Sequence, residues 1–294
     1  MTSPPPSHSG PPPKISVVIA AHNEAAVIGR CLDAFLSAAE PGEFDVTVVA
    51  NGCTDDTAAV ASRRAGVRVL ELAAAGKPAA LNAGDQAALG FPRVYLDADI
   101  VVTAPGLRAI ADRLGPDATL ALAAVPRREL DLTGRPLPVR AFFAINSRLP
   151  VYRDGLFGRG LIALSAPARG RFDRFPDVIA DDLFLDSLFT AAEKVEVPAV
   201  SARIATPRRT GDLVRRLVRV RRGNAAMRGA AARGEVVASV RPAARLSWLR
   251  DVVLPRPWLA PAALFYVALT VVAARRATRG GRDWERDEST RVAA

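Results

Sequence analysis

Short apolar runs separated by helical patterns mark the first hundred residues of the chain. Four runs rich in β-branched and other apolar residues predict buried strands at residues 15–21, 45–50, 67–70 and 94–96. Helices are predicted over residues 24–38, from residue 54 onward and over residues 77–89. Strands that are apolar on both faces and alternate with helices are typical of a largely parallel sheet in an α/β layer fold.

Polar residues follow three of the predicted strands. In an open α/β sheet, ligands bind beyond the carboxyl ends of the strands, so these positions are where a site is expected. The three segments are Ala21-His22-Asn23-Glu24, Asn51-Gly52-Cys53-Thr54-Asp55-Asp56-Thr57 and Asp97-Ala98-Asp99. The first turn lacks a G-x-G-x-x-G sequence, which argues against a dinucleotide-binding domain.

The third of these segments predicts a cation site. Two cysteines and two histidines in 294 residues exclude a disulfide scaffold and a four-thiolate zinc site, so a metal would be held by oxygen. Asp97 and Asp99, two positions apart at a strand end, point to the same side and suit Mn²⁺ or Mg²⁺. Such an ion bridges the phosphates of a nucleotide diphosphate. The alternative is a solvated turn that happens to carry two acids.

The helix predicted from residue 77 adds a cation to this edge of the sheet. Gly76 and Lys77 stand at its entrance, and a helix N-terminus beside a cation favours a bound anion. Taken alone, the pair is equally consistent with an exposed first turn after a glycine.

Taken together, these segments resemble the family 2 glycosyltransferases in order and spacing. The segments are those after the first two strands, the Gly76-Lys77-Pro78-Ala79-Ala80-Leu81-Asn82 helix and Val94-Tyr95-Leu96-Asp97-Ala98-Asp99. The resemblance covers about residues 14–235 and implies the GT-A fold, a Rossmann-like domain around a mostly parallel, mixed sheet flanked by helices. It also implies that a sugar moves from a nucleotide-diphosphate donor to a hydroxyl acceptor with inversion at the anomeric carbon.

The resemblance assigns roles to the residues after the strands. Asp97 and Asp99 would hold the donor and the Mn²⁺ or Mg²⁺ ion, with Asp99 the direct ligand. The residues that would line the nucleotide pocket are Asn23, Glu24, Asn51, Asp55 and Lys77. The chain has Ala50 and Asn51 where the family usually has two acids, which leaves a preference for uridine in doubt. An amide at Asn51 still donates and accepts hydrogen bonds.

An acidic pair further along matches the position of the family's catalytic base. It lies in the segment at residues 175–185, where Asp181 and Asp182 lead into a predicted helix. By resemblance the second acid, Asp182, removes the acceptor's proton, with Asp181 as the alternate. Adjacent carboxylates also raise one another's pKa. The alternative is a structural role, because acids are favoured in the first turn of any helix.

A glycine-bearing segment at residues 155–165 precedes the acidic pair. It resembles the family segment that lines the acceptor side, where glycine lets the backbone approach a substrate closely. An ordinary loop has the same composition.

The charge of the chain is concentrated in one segment. The net charge is +10, yet residues 203–250 contain 13 arginines and only two acids. Leu213, Leu217 and Val220 predict an amphipathic basic helix, on which Arg222 matches a family arginine that neutralises the leaving group. Diphosphate contact, docking on anionic lipid and a solvated face are the three interpretations. Residues 203–247 contain no aromatic residue, which argues against nucleic acid as a partner.

An uncharged stretch at residues 258–274 suggests membrane association. Its 17 residues approach the roughly 20 that a transmembrane helix needs. One span or a shallow hairpin would place the enzyme at the cytoplasmic face of the cell membrane. The alternative is a buried C-terminal helix in a soluble cytoplasmic enzyme. The expected organisation is a disordered proline-rich tail at 1–13, a catalytic domain at 14–235 and a membrane-associating segment at 236–294.

Two other functions are compatible with parts of this pattern. A sugar nucleotidyltransferase shares the layered sheet and metal-bound acid, but it should carry a glycine-rich loop with a basic residue after the first strand. A catalytically silent, membrane-associated binding protein on the same fold should lack acids such as Asp97, Asp99 and Asp182. The acceptor class, whether glycan, lipid or small molecule, is not encoded in any of these motifs.

Overall fold

A computed structural model describes residues 15–115, 121–177, 180–236 and 246–278. Within these ranges seven strands form one mixed sheet in the order β3-β2-β1-β4-β6-β5-β7. The strands are β1 (Ile15–Ala21), β2 (Phe44–Asn51), β3 (Val67–Leu72), β4 (Arg93–Leu96), β5 (Ala123–Asp131), β6 (Leu161–Leu164) and β7 (Lys194–Ala205). The proline-rich tail predicted at 1–13 lies outside the described residues.

The first four strands form the parallel half of the sheet, as their apolar composition predicts. β1 pairs in parallel with β2 on one side and with β4 on the other, and β2 pairs in parallel with β3. All seven residues of β1 are buried except the half-buried Ala20, because helices cover both faces of the sheet. The carboxyl ends of β1, β2 and β4 therefore open at the same edge.

The second half of the sheet reverses direction at β6. β6 is antiparallel to both β4 and β5, whereas β5 and β7 run parallel to each other. The β5 to β7 register shifts between Pro126 and Arg127, a local irregularity of the kind that bends a strand pair. The sheet is thus mixed, in agreement with the predicted fold class.

Helices pack on both faces of the sheet. They are α1 (Ala25–Leu36), α2 (Thr57–Ser62), α3 (Lys77–Ala87), α4 (Ala104–Ala111), α5 (Leu137–Asn146), α6 (Pro150–Asp154), α7 (Ala166–Arg169), α8 (Asp181–Ser187), α9 (Thr210–Ala232) and α10 (Ala260–Thr278). Leu32 and Phe35 of α1 are buried with Ile19 on one face of the sheet. Val18, the next residue back along β1, is buried on the other face with Phe184 and Met227. This alternation makes two core layers from one strand.

The basic helix α9 differs in detail from its predicted face. Leu213 is buried and Leu217 half-buried, but Val220 is 46% exposed. The helix packs on two sides, with Val214 against α5 and Met227 in the core beside α8. The buried residues of α9 therefore do not form one apolar face. The prediction that Val220 belongs to such a face was wrong.

The C-terminal helix α10 lies along α5 and α9. Tyr266 stacks on Phe142 of α5 with ring centroids 5.1 Å apart, and Leu269 is buried in the same cluster. The other side of this C-terminal region is apolar and open, since Leu264 is 75% exposed and Trp258, just before the helix, 72% exposed. One stripe of this apolar helix thus packs on the domain and the opposite side remains uncovered.

Candidate active site

Asn51 links the ends of three chain segments at the open edge of the sheet. Its amide nitrogen donates to the Ala21 carbonyl at 2.7 Å, and its amide oxygen accepts from the Gly76 backbone at 3.0 Å. The side chain is buried, so it fixes the ends of β1 and β2 against the entrance of α3. Both amide atoms are thus engaged with backbone, and the nucleobase contact predicted for Asn51 stays a prediction.

Asn23 and Asp55 join the loops after β1 and β2. Asn23, with a φ of 54°, accepts from the Thr54 backbone at 2.8 Å. Asp55 accepts from the Ala25 backbone at the start of α1 at 3.0 Å. Glu24 is buried beside them, and its backbone donates to the Thr57 hydroxyl at 2.7 Å. Four of the five residues predicted for the nucleotide pocket, Asn51 included, therefore lie together at one edge of the sheet.

Lys77 connects the acids of β4 with the acidic pair of α8. Its Nζ lies 2.9 Å from an Asp97 carboxylate oxygen and 3.0 Å from one of Asp181. Although burial lowers the pKa of Lys77, the charges of Asp181 and Asp97 raise it above the ordinary value. The lysine is therefore a fixed cation, and it joins residues that are 84 positions apart in the sequence.

The segment after β4 suits a divalent ion completed by a ligand. Asp99 is exposed at the open edge two positions after Asp97, so both offer hard oxygen donors. Among the described residues, no group of three or more His, Cys, Asp or Glu side chains forms a closed metal site. Carboxylate oxygens are the donors that Mn²⁺ and Mg²⁺ prefer, so the two acids fit such an ion chemically. Burial and then the charges of Asp99 and Asp97 raise the pKa of Cys31 to about 12, which places an uncharged thiol near the acids.

Two backbone donors hold the carboxylate of Asp182 in one orientation. Its Oδ2 accepts from the Gly158 N–H at 3.2 Å, and its Oδ1 accepts from the Leu183 N–H at 2.8 Å. Burial raises its pKa to about 6, the charge of Asp181 adds to this, and Lys77 opposes it. A carboxylate with this pKa is ionised at neutral pH and still a competent proton acceptor.

The glycine segment is held by two acids of α8, which is a feature that the sequence analysis missed. Asp182 accepts from Gly158, and Asp186, one turn later, accepts from the Leu156 backbone at 2.9 Å. Asp186 is also paired with Lys194 at 2.7 Å in the interior. The four-residue spacing of the two acids on one helix was the signal that could have revealed this arrangement.

Gly160 joins this segment to the end of β4. Its carbonyl accepts from the Asp97 N–H at 2.8 Å, in continuation of the β4 to β6 ladder. Its φ is 67°, and a Cβ at this position would overlap the side chain of Ile100. Only glycine lets the backbone pass here without displacing the residue that follows Asp99.

Asn82 holds the segment that leads to the acidic pair, a second feature that the sequence analysis missed. Its amide accepts from the Phe175 N–H at 2.8 Å and donates to the Phe175 carbonyl at 3.0 Å. This two-bond contact fixes a point six residues before Asp181 to helix α3. The described contacts of Asn82 therefore join α3 to the segment that precedes the acidic pair.

Arg222 lies on α9, and its described contact is with α10. One guanidinium nitrogen is 3.5 Å from the Arg276 carbonyl near the end of that helix. The structure does not bring Arg222 into the group formed by Lys77, Asp97, Asp181 and Asp182 through any described contact. Its role at the leaving group stays a prediction.

Within the described residues, one helical stretch has the length and apolar composition of a membrane-crossing helix. It is Pro257–Thr278, which includes α10. The same properties are found in core helices of soluble proteins, so length and composition alone give weak support for the predicted membrane association.

The fold and this cluster define a class of enzyme, the glycosyltransferases of the GT-A fold. Their acids at a strand end meet a nucleotide-binding edge on one side and a second acidic pair on the other. The chain matches the family model described as glycosyl transferase family 2 over residues 16–165, which is 150 of its 294 residues. The protein belongs to family 2 of the glycosyltransferases, enzymes that transfer a sugar from a nucleotide donor. This confirms the family recognised in the sequence.

Solved structures of glycosyltransferases share the fold. The mannosyltransferase PcManGT from Pyrobaculum calidifontis, crystallised with GDP-Man and Mn²⁺, has a TM-score of 0.58 and 23% identity over 91% of this chain and 79% of that one. TarS from S. aureus, residues 1–349 with UDP-GlcNAc, has a TM-score of 0.51 and 14% identity over 92% of this chain and 94% of that one. The comparison with curated protein sequences gave no significant match. At these identities the structural likeness shows the GT-A fold and nothing finer.

Proposed function

We propose that the protein is a metal-dependent, inverting glycosyltransferase that uses Asp182 as its catalytic base. The observation that carries the proposal is the Lys77 bridge, in which one ammonium lies within 3.0 Å of Asp97 and of Asp181. It supports a single reaction centre in which the donor acids and the acidic pair face the same space. Asn23, Glu24, Asn51 and Asp55 form the nucleotide side of that centre.

On the donor side, Asp97 and Asp99 would hold a divalent ion such as Mn²⁺ or Mg²⁺. When bound, the ion neutralises charge on the diphosphate that leaves the sugar. Lys77 lies at the same position and offers a second cation to the phosphate oxygens. The N-terminus of α3, where Lys77 is the first residue, adds backbone N–H groups that favour an anion.

On the acceptor side, Asp182 would take the proton of an acceptor hydroxyl. The hydroxyl oxygen attacks the anomeric carbon as the bond to the diphosphate breaks, and the released nucleotide diphosphate carries away the electron pair. The sugar is therefore transferred in one displacement with inversion, and the proton remains on Asp182 until product leaves. Positioned general bases contribute about 10²- to 10⁴-fold to such steps.

The donor is identified by measuring thermal stability with a panel of nucleoside diphosphates and nucleotide sugars, with and without Mn²⁺. We expect one nucleotide to raise the melting temperature only when Mn²⁺ is present, because the ion links the phosphates to Asp97 and Asp99. Asp99→Asn should lose this shift. Asp112→Asn, a change of the same kind at an exposed position at the end of α4, should keep it. If the nucleotide raised the melting temperature equally with and without Mn²⁺, the proposed role of the metal would be contradicted.

We further propose that the protein associates with the cytoplasmic face of the membrane through α10, which lies in the interface rather than crossing the bilayer. One stripe of the helix, including Tyr266 and Leu269, is packed on the domain and is unavailable to lipid. The uncovered side presents Leu264 beside Trp258, and arginines 275 and 276 follow at the end. An apolar face bordered by basic residues is the composition of interfacial helices.

Sedimentation of the full chain with phospholipid vesicles tests this placement. Replacing Trp258 and Leu264 by Ser should reduce the bound fraction severalfold, because both side chains are largely exposed. Leu89→Ser is the matched control, since Leu89 is 50% exposed in the connection between α3 and β4, in the parallel half of the sheet. Equal sedimentation of all three proteins would contradict the interfacial placement.

A further inference from the structure

Three arginines come together around two tyrosines where β5, α6, α9 and α10 meet. The Arg128 guanidinium carbon lies 4.3 Å from the ring centroid of Tyr152. Burial raises the pKa of Tyr266, the nearby Tyr152 phenol raises it further, and the charge of Arg221 lowers it, so these three groups are neighbours. Arg216, on the same helix as Arg221, is an electrostatic neighbour of Arg128. We call Arg128, Arg216 and Arg221 the arginine cluster.

The arginine cluster has more donors than acceptors. The Nε atoms of Arg128 and Arg221 are buried and have no hydrogen-bond partner within the described part of the chain. None of the three arginines forms an ion pair among the described residues, whereas Arg159, an electrostatic neighbour of Arg128, pairs with Glu196. Burial lowers the pKa of Arg128, and the charges of Arg216 and Arg159 lower it further, whereas Tyr152 raises it. Buried cationic donors without partners are costly unless an anion joins them.

The arginine cluster borders the acceptor side of the active site. Tyr152, which Arg128 covers, packs against Phe157 with ring centroids 5.5 Å apart. Its ring edge lies 3.6 Å from the position that a Cβ on Gly158 would take. The Gly158 N–H in turn donates to the carboxylate of Asp182. One tyrosine ring therefore separates the arginines from the backbone that orients the base.

We propose that the arginine cluster is a subsite for an oxyanion, the phosphate group of a phosphorylated acceptor. The inference rests on the proposed function, because the acceptor is what Asp182 deprotonates. Arginine offers paired donors that match two phosphate oxygens, and several arginines together give a strong site. The phosphate belongs either to a soluble phosphoester or to a phospholipid headgroup, and Tyr266 of α10 connects the site to the lipid-facing helix.

Titration of the full-length protein with inorganic phosphate, followed by calorimetry, tests the subsite. We expect Arg128→Gln and Arg216→Gln each to weaken phosphate binding about tenfold, the loss typical of one charge-assisted contact. Arg228→Gln, an equal change of charge at an exposed position on the same helix, should leave binding unaltered. Arg216 is half-buried on the helix surface, so its variant keeps the test informative if the Arg128 variant does not fold.

Two results would overturn the subsite. Phosphate binding of wild-type strength in the folded Arg216→Gln or Arg128→Gln protein would show that the arginines do not hold the anion. If Lys77→Gln loses phosphate binding while the arginine variants bind phosphate as the wild type does, the phosphate belongs to the donor pocket instead.

Two further experiments distinguish a soluble phosphoester from a phospholipid headgroup as the source of the phosphate. If the acceptor is soluble, glycerol phosphate should compete with inorganic phosphate, and both arginine variants should weaken that competition. If it is a lipid, vesicles of phosphatidylcholine with phosphatidic acid should sediment more wild-type protein than the arginine variants, whereas phosphatidylcholine alone should not separate them. Failure of both experiments would overturn the acceptor assignment.

The nucleotide measurement keeps this inference separate from the proposed function. The arginine variants should retain the Mn²⁺-dependent nucleotide shift of the wild type, because the arginine cluster lies beyond Tyr152 from the donor acids. If no nucleotide binds any of the proteins while phosphate binding still depends on Arg128 and Arg216, the anion subsite stands and the proposed transferase chemistry fails.

Discussion

The two halves of the sheet place functional groups in different ways. In the parallel half, from β1 to β4, the polar residues of interest end a strand, as Asn51 does, or directly follow one, as Asp97 does. In the second half, Asp182 lies in the first turn of α8 and accepts from Gly158, 24 residues earlier, and Asn82 holds Phe175 in the segment before that helix. The donor side is thus a product of local sequence, whereas the acceptor side depends on tertiary contacts. Substitutions should therefore affect the two sides in different ways.

The largest expected effect is on the acceptor side. Asp182→Asn should lower kcat about 10³-fold, because the amide cannot accept the proton. The dissociation constant of the nucleotide diphosphate should stay within about twofold, since Asp182 contacts Gly158 and Leu183 rather than the donor acids. Asp177→Asn is the matched control at an exposed position before the pair. Undiminished turnover in Asp182→Asn would refute the assignment of the base.

Gly160 tests whether the link between the halves needs a glycine. Gly160→Ala should lower the free energy of unfolding by about 3 kcal/mol, combining a left-handed backbone with overlap against Ile100. Gly134→Ala has the same φ of 67° with nothing within 4 Å, and should cost about 1 kcal/mol. Chemical denaturation of both variants measures the two losses in free energy of unfolding, and their difference is the cost of the overlap with Ile100. Equal losses would show that Ile100 moves aside and that the link tolerates a side chain.

Asn82 tests the tertiary contact that positions the acids. Asn82→Ala removes both bonds to the Phe175 backbone, so we expect kcat to fall about tenfold with little change in donor affinity. Steady-state kinetics measure kcat and the KM of the donor separately for each variant. Gln86→Ala, an exposed amide on the same helix, should behave as wild type. If donor affinity falls instead of kcat, Asn82 belongs to the donor side.

The smallest expected effect is a shift of the pH profile. Because Asp182 has a pKa of about 6 and acts when deprotonated, kcat/KM should fall about tenfold per unit as the pH drops below 6. Lys77 lowers that pKa, so Lys77→Gln should move the acidic limb toward higher pH by up to about one unit. Rate profiles from pH 5 to 9 follow the limb. If the acidic limb of Lys77→Gln moved toward lower pH instead, Lys77 would not be lowering the pKa of Asp182.

The same contrast explains what could be predicted from the sequence. The strands β1 to β4 and their helices follow from apolar periodicity, and their termini differ from the predicted ones by a few residues. β5 and β7 were not predicted as strands, and both carry exposed residues, such as Arg127 and Arg203, that interrupt a continuous apolar pattern. The predicted Leu213-Leu217-Val220 face failed because α9 is buried on two sides. Periodicity reports which residues are covered, and it does not report which distant segment covers them.

The site follows the same rule. The strand ends and the helix entrance pointed to Asp97, Asp99 and Lys77, and the family resemblance added the acidic pair. The Lys77 contacts bring most of these into one group. The roles of Asn82, Asp186 and the arginine cluster come from contacts between residues tens of positions apart. The domain limits at residues 14, 235 and 236 remain predictions.

The antiparallel pairing of β4 with β6 has a consequence for recombining enzymes of this kind. Four residue pairs, from Arg93 with Leu164 to Leu96 with Leu161, join the two halves of the sheet, and the Asp97 to Gly160 hydrogen bond extends them. A chimera that combines the donor half of one enzyme with the acceptor half of another must preserve this short register. A slip of one residue would turn each β6 side chain to the opposite face and move the glycine segment away from Asp97 and Asp99.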